Sequence, residues 1–139
     1  MTQSLLDISH IADRVVATAL DTLAGSVAGA AYTVVDKGTQ AVGGTLTLDL
    51  STGSNFKAVF GAGNLTVANP TNVTAGQSGV LSLQQDGVGS RTVTWGGNWK
   101  FSGATAPTLT TTASALDLIT FIAISPTVIV ATLAVSDYR

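Results

Sequence analysis

Residues 78–95 read SGVLSLQQDGVGSRTVTW. Val80, Ser82 and Gln84 alternate with Leu81, Leu83 and Gln85, and beyond Asp86-Gly87 the residues Arg91, Val93 and Trp95 alternate with Thr92 and Thr94. Alternation at period two marks a strand with one buried face, and an Asp-Gly between two such runs signals an antiparallel turn. The spacing predicts a β-hairpin whose loop is somewhat longer than the tight two-residue type. Its polar tip suits a structural module better than a reaction site.

The same alternation recurs upstream. In TLTLDL, Leu46, Leu48 and Leu50 share one face and Thr45, Thr47 and Asp49 the other; Phe56, Ala58 and Phe60 form a second set, and Leu65 and Val67 a third. Residues with turn chemistry separate them at Ser51–Ser54, Gly61–Asn64 and Asn69–Gly76. Short strands at this spacing predict a mainly β chain, folded as an antiparallel β-sandwich or jelly-roll-like domain over residues 32–139. A strand-rich unit that completes its core only when copies associate is the alternative.

Residues 118–135, LITFIAISPTVIVATLAV, carry no charge and reach the length of a membrane-spanning helix. Ser125-Pro126 near the middle, and the Ile, Val and Thr around it, favour instead two strands, Leu118–Ile124 and Val128–Val135, joined at a proline turn. No membrane span is expected. Both strands are apolar on both faces, which implies a central position in the sheet or burial against another subunit. That points to association of copies.

Residues 1–31 differ from the rest. Ile8, Ile11, Ala12, Val15, Ala19 and Leu20 recur at helical spacing after a Ser4…Asp7 start, and Gly25–Ala31 is small enough for a joint. A short N-terminal helix follows, with Ile8, Ile11 and Val15 as a candidate anchoring face. The first residues lack the basic n-region of a secretory signal, so synthesis in the cytoplasm is the expectation.

Composition narrows the chemistry. Charged residues make up 10% of the 139-residue chain, against about a quarter in an average protein, which leaves Thr, Ser, Asn and Gly to supply the polar surface. Six scattered basic residues and a net charge of −2 give no footprint for nucleic acid. Without cysteine there is neither a disulfide framework nor a thiolate metal site. His10 is the single imidazole, and Ser9 and Asp13 beside it on a helix cannot form a triad with it. Eight aspartates and no glutamate fall into no metal-loop pattern, and most sit at strand ends or turns, where Asp serves local hydrogen bonds. No cofactor, metal site or catalytic group is expected, although a hydrolase using an Asp pair remains a third reading. Trp95 and Trp99, flanking Gly96-Gly97, are the candidate contacts for a glycan, with core or subunit contacts as the commoner use of tryptophan.

Three ordered pieces carry a resemblance: LDLSTGSNFKAVFGAGNLTVANPTN (48–72), AGQSGVLSLQQDGVGSRTVTW (75–95) and KFSGATAPTLTTTASALDLITF (100–121). Together they are similar to a β-rich module of bacteriophage virion proteins, notably tail fibres and other surface appendages. The resemblance implies a non-enzymatic structural protein on the virion surface, homotrimeric, with a β-sandwich-like subunit. It also implies partners among phage capsid or tail proteins and, for an appendage, a host surface glycan. Such modules often close with a Gly-rich, Trp-containing hairpin, whereas residues 122–139 are apolar and Trp-free. A small chain with one anchoring element and one β-domain suits capsid decoration, a short head fibre or a small tail appendage.

Overall fold

The computed structural model describes residues 33–139. The expected N-terminal helix with its Ile8, Ile11 and Val15 face, the expected joint and His10 lie outside the described residues. From there the chain forms nine strands and one 3₁₀ turn: β1 Val34–Thr39, β2 Thr45–Leu46, β3 Asn55–Val59, β4 Leu65–Val67, β5 Ser78–Gln84, β6 Val93–Trp95, β7 Trp99–Lys100, the turn Ser102–Ala104, β8 Leu116–Ser125 and β9 Val128–Tyr138.

Successive strands do not pair with each other until the last two. A six-stranded sheet has the order β1-β3-β5-β8-β9-β7, and a three-stranded sheet the order β2-β4-β6. The pairs β1–β3, β3–β5, β2–β4 and β4–β6 are all parallel. The chain therefore crosses from one sheet to the other and back, laying three coils on one another. Val35, Phe56 and Leu81 stand in register on one side, and Leu46, Val67 and Trp95 on the other. A third point of contact is the parallel bridge Asp49–Thr71.

Both sheets feed one core. Leu46, Leu48, Leu50, Phe56, Ala58, Phe60, Leu65, Val67, Leu81 and Leu83 are buried, and Ile119, Phe121, Ala123, Ile129 and Ala131 join them from β8 and β9. Every inward row read from the sequence is inward here. The mainly β expectation holds, and two sheets enclose a common interior. What changes is the pairing: among the described residues, antiparallel ladders are limited to β5–β8 and β8–β9.

The hairpin expected at Ser78–Trp95 is not formed, because β5 and β6 belong to different sheets. Gln85 supplies the physical reason. Its buried side-chain amide accepts from the Arg91 N–H (3.0 Å) and donates to the Arg91 (2.9 Å) and Thr110 (2.8 Å) carbonyls. Its own N–H donates to the Ala115 carbonyl. The main chain of Arg91 is thus paired with a side chain instead of with the backbone of β5, and the strand beyond it is released toward β4. The Asp86–Ser90 loop assists, with Gly89 and Ser90 both at positive φ.

The C-terminal strands follow the sequence reading. β8 ends at Ser125, Pro126-Thr127 makes the turn, and β9 returns antiparallel from Val128, with bulges that let its eleven residues match the ten of β8. Among the described residues, no helix is long and apolar enough to cross a membrane.

Candidate interaction surface

The tryptophans come together, but not as an exposed platform. Trp99 is only 4% exposed, and its indole N–H donates to the Ala68 carbonyl at 2.9 Å. Trp95 meets it edge-on at 5.3 Å, Phe101 lies 5.1 Å from Trp95, and Phe121 of β8 lies 5.7 Å from Trp99. Edge-to-face contacts of this kind add about 0.5–1.5 kcal/mol each to the burial itself. Between the two rings the chain wraps around Asn69, whose Oδ1 accepts the Asn98 N–H at 2.8 Å. Gly96 permits that approach, because a Cβ there would stand 2.4 Å from Asn69 Oδ1. Of the two candidate glycan contacts, Trp99 is buried in the core, the commoner use of tryptophan, and Trp95 is half-buried.

The polar loop after β5 is internally satisfied. Asp86 accepts from Arg91 Nη2 (2.8 Å) and Nε (3.1 Å) and from the N–H groups of Gly89 (2.7 Å) and Val88 (3.2 Å). The Arg91 guanidinium, followed by the Gly89 N–H, holds the Asp86 carboxyl below the usual carboxylate range. Asp49 is lowered in the same sense by the Asn72 amide and then by Ser51, and Asp36 by Lys57 and then the Gly38 N–H. Asp117, 2% exposed, accepts from the Thr110 and Asp137 N–H groups, and Asp137 pairs with Arg139. Each described aspartate is thereby a structural acceptor. Among the described residues, no group of three His, Cys, Asp or Glu side chains is placed to hold a metal ion.

The remaining feature is the outer face of β8 and β9. Burial alternates along β8, so Leu116, Leu118, Thr120, Ile122 and Ile124 face away from the core. In register with them on β9 stand Tyr138, Val135, Thr132 and Val130. Ile122 is 42%, Ile124 58%, Val130 44% and Tyr138 67% exposed. Between Leu118 and Val135 no residue is charged, and Asp117 turns inward. A cavity of about 400 Å³ lies at one end, lined by Gln84, Ser114, Leu116, Tyr138 and Arg139. Two β-branched or leucine side chains opposite each other on an exposed ladder are favourable for the strand pair but costly to hydrate.

The sequence signalled this face through the two-faced apolar pattern of residues 118–135. It did not signal the roles of Gln85 and Asp117, whose partners at Thr110 lie in a loop with no pattern of its own.

Neither a curated protein nor a solved structure matches the chain. A family model does, described as "putative phage tail fibre C-terminal domain", over residues 44–124. The match runs from just before β2 through nearly all of β8, and leaves out β1 and β9. More than half the chain is covered, with all three resembling pieces inside the match, and the chain belongs to this phage tail-fibre family.

Proposed function

We propose that the chain is a non-enzymatic structural subunit of a phage tail fibre or a closely related surface appendage, working as a homotrimer exposed on the virion. The family match over β2–β8 carries this reading. Two features support it: the polar groups of the coils are spent on holding coils together, and the outer face of β8–β9 offers apolar area without chemistry. Tail attachment is favoured over capsid decoration by the family description.

Immunogold labelling of intact particles tests the location. Gold is expected at the tail; label spread over the head would replace the fibre reading with capsid decoration. Residues 1–31, with the apolar period Ile8, Ile11 and Val15, are proposed as the attachment segment. A chain lacking them should keep a cooperative melting transition of the β-domain and fail to co-sediment with particles.

A further inference from the structure

We infer that Asp86-Gly87 is a latent modification site, where the main chain rearranges to an isoaspartyl linkage once the Asp86 carboxyl is free, and that Arg91 is the residue that keeps it from doing so.

The reaction needs an aspartate followed by a residue whose amide nitrogen is within reach. Of the eight aspartates only Asp86 precedes glycine, and no asparagine does. Glycine lacks the Cβ that would shield the nitrogen and restrict its backbone. Gly87 is exposed, a Cβ added to it would meet nothing within 4 Å, and its N–H makes no hydrogen bond among the described residues. Neither crowding nor a competing acceptor therefore protects this nitrogen. In the rearrangement it attacks Asp86 Cγ; the protonated carboxyl loses its hydroxyl and the amide its proton, together as water, and a succinimide ring closes. Water then adds to the former main-chain carbonyl carbon, and the bond from that carbon to nitrogen breaks. The chain is left running through Cβ and Cγ, with a free carboxylate on Cα. Mass is unchanged overall, and neither oxidant nor cofactor is required.

Protection lies on the carboxyl side. Oδ1 accepts the N–H groups of Gly89 (2.7 Å) and Val88 (3.2 Å), and Oδ2 accepts Nη2 (2.8 Å) and Nε (3.1 Å) of Arg91. Closure must break these bonds, rotate Cγ onto the Gly87 nitrogen and protonate a carboxylate that Arg91 keeps ionised. The guanidinium supplies two of the four bonds, in a planar fork that a lysine does not reproduce. Its own main chain is pinned, the N–H to Gln85 Oε1 and the carbonyl to Gln85 Nε2. The middle of the loop is fixed as well: the Ser90 N–H donates to the Thr111 carbonyl at 2.7 Å, and a Cβ on Gly89 would stand 2.4 Å from that same oxygen. Rearrangement would strike this lock. One extra backbone atom between Gln85 and Arg91 shifts Arg91 off the Gln85 amide, and with it the run that leads into β6.

In the test, the full-length chain, native and unfolded in guanidinium chloride, is aged at neutral pH beside folded Arg91→Gln and Arg91→Lys. Isoaspartate at position 86 is read by peptide mapping with fragmentation that separates the two linkages. The native wild type should isomerise at least about tenfold more slowly than the unfolded chain, and Arg91→Gln should lose most of that factor with its bonds to the charged carboxylate. Arg91→Lys, which keeps the charge without the fork, should fall between them. An unfolded chain that forms no isoaspartate at this position would overturn the site, and a native wild type that isomerises as fast as the unfolded chain would overturn its protection. A folded Arg91→Gln that melts earlier but isomerises at the wild-type rate would overturn the role of Arg91 and leave the pair as a brace of the loop alone. Should Arg91→Gln not fold, Arg91→Lys takes its place, and a wild-type rate in that variant would equally overturn the role.

Discussion

The coils from β1 to β6 and the hairpin β8–β9 bury the same kind of side chain inward but treat the outside differently. On the coils the outward rows are polar: Thr45, Thr66 and Thr94 stand in register, as do Asp36, Lys57 and Ser82. On the hairpin the outward pairs are Ile122–Val130, Leu118–Val135 and Leu116–Tyr138, with Thr120–Thr132 between the first two. The inner row of a strand decides that it folds against a core; the outer row decides what the finished surface will accept. The two regions also differ in how neighbours are fixed. Coils are tied by side chains reaching the next coil, such as Asn64 to the Thr92 N–H and Asn69 to the Asn98 N–H. β8 and β9 are tied by a long backbone ladder.

Substitution of the inner row should break the comparison most visibly. Phe56→Ala empties a position that is 1% exposed at the middle of the three coils, and a loss of about 3–5 kcal/mol is expected from urea unfolding. Ile124→Ala on the outer face should change unfolding of the isolated subunit by no more than about 0.5 kcal/mol. Similar costs at both positions would mean that the outer face is covered within one chain.

Next in size are the ties between coils. Asn69→Ala leaves the Asn98 N–H without its acceptor, and a loss of about 1–3 kcal/mol is expected. The same change loosens the turn that seats Trp99, so the tryptophan emission should shift to the red. An unchanged spectrum would show that the aromatic cluster holds the turn without Asn69.

The smallest effect is an acid one. Asp36, Asp49 and Asp86 all have carboxyls lowered in the folded state. A lowered folded value means that the contribution is complete above the unfolded value of about 3.9 and is lost as pH falls through the folded value. Melting temperature should therefore be flat in this respect from neutral pH to about 5 and decline below about 4. Asp86→Asn should blunt the decline, and a decline beginning near pH 6 would point to other groups. All three sites lie in the coils or their connecting loops, so the decline should report coil loosening before hairpin loosening.

Much of this was legible in the sequence, and the missing part has a definite cause. Leu46, Leu48, Leu50, Phe56, Ala58, Leu81 and Leu83 declared their faces through alternation, and Ser125-Pro126 declared the turn between β8 and β9. Alternation reports which way a side chain points, not which strand lies beside it, so parallel coils and antiparallel hairpins look alike. Asp86-Gly87 tipped the reading toward a hairpin. A counter-signal was present: Gly43-Gly44 before Thr45-Leu46, Gly63-Asn64 before Leu65-Thr66-Val67, and Gly89-Ser90 before Thr92-Val93-Thr94-Trp95 repeat one corner-and-strand pattern three times. Such recurrence is the mark of stacked coils. Trp99 was ambiguous because a glycine turn can either present a ring or allow close approach. Only the Ala68 carbonyl beneath the indole decides between them.

The coiled course of the chain also sets an order of assembly. Each parallel pairing joins residues roughly two dozen positions apart, so every coil must close a sizeable loop before it gains a contact, and topologies of this kind fold in milliseconds to seconds. The β8–β9 turn needs only Pro126 and Thr127, and hairpins form in about 1–10 μs. Left alone, that hairpin would display apolar side chains on both sides. The ribosome releases it after β5, the strand on which β8 lies, so a docking site for one side can exist before the hairpin does. Synthesis from the N-terminus thus shortens the interval in which the most adhesive strands of the chain are exposed on both faces.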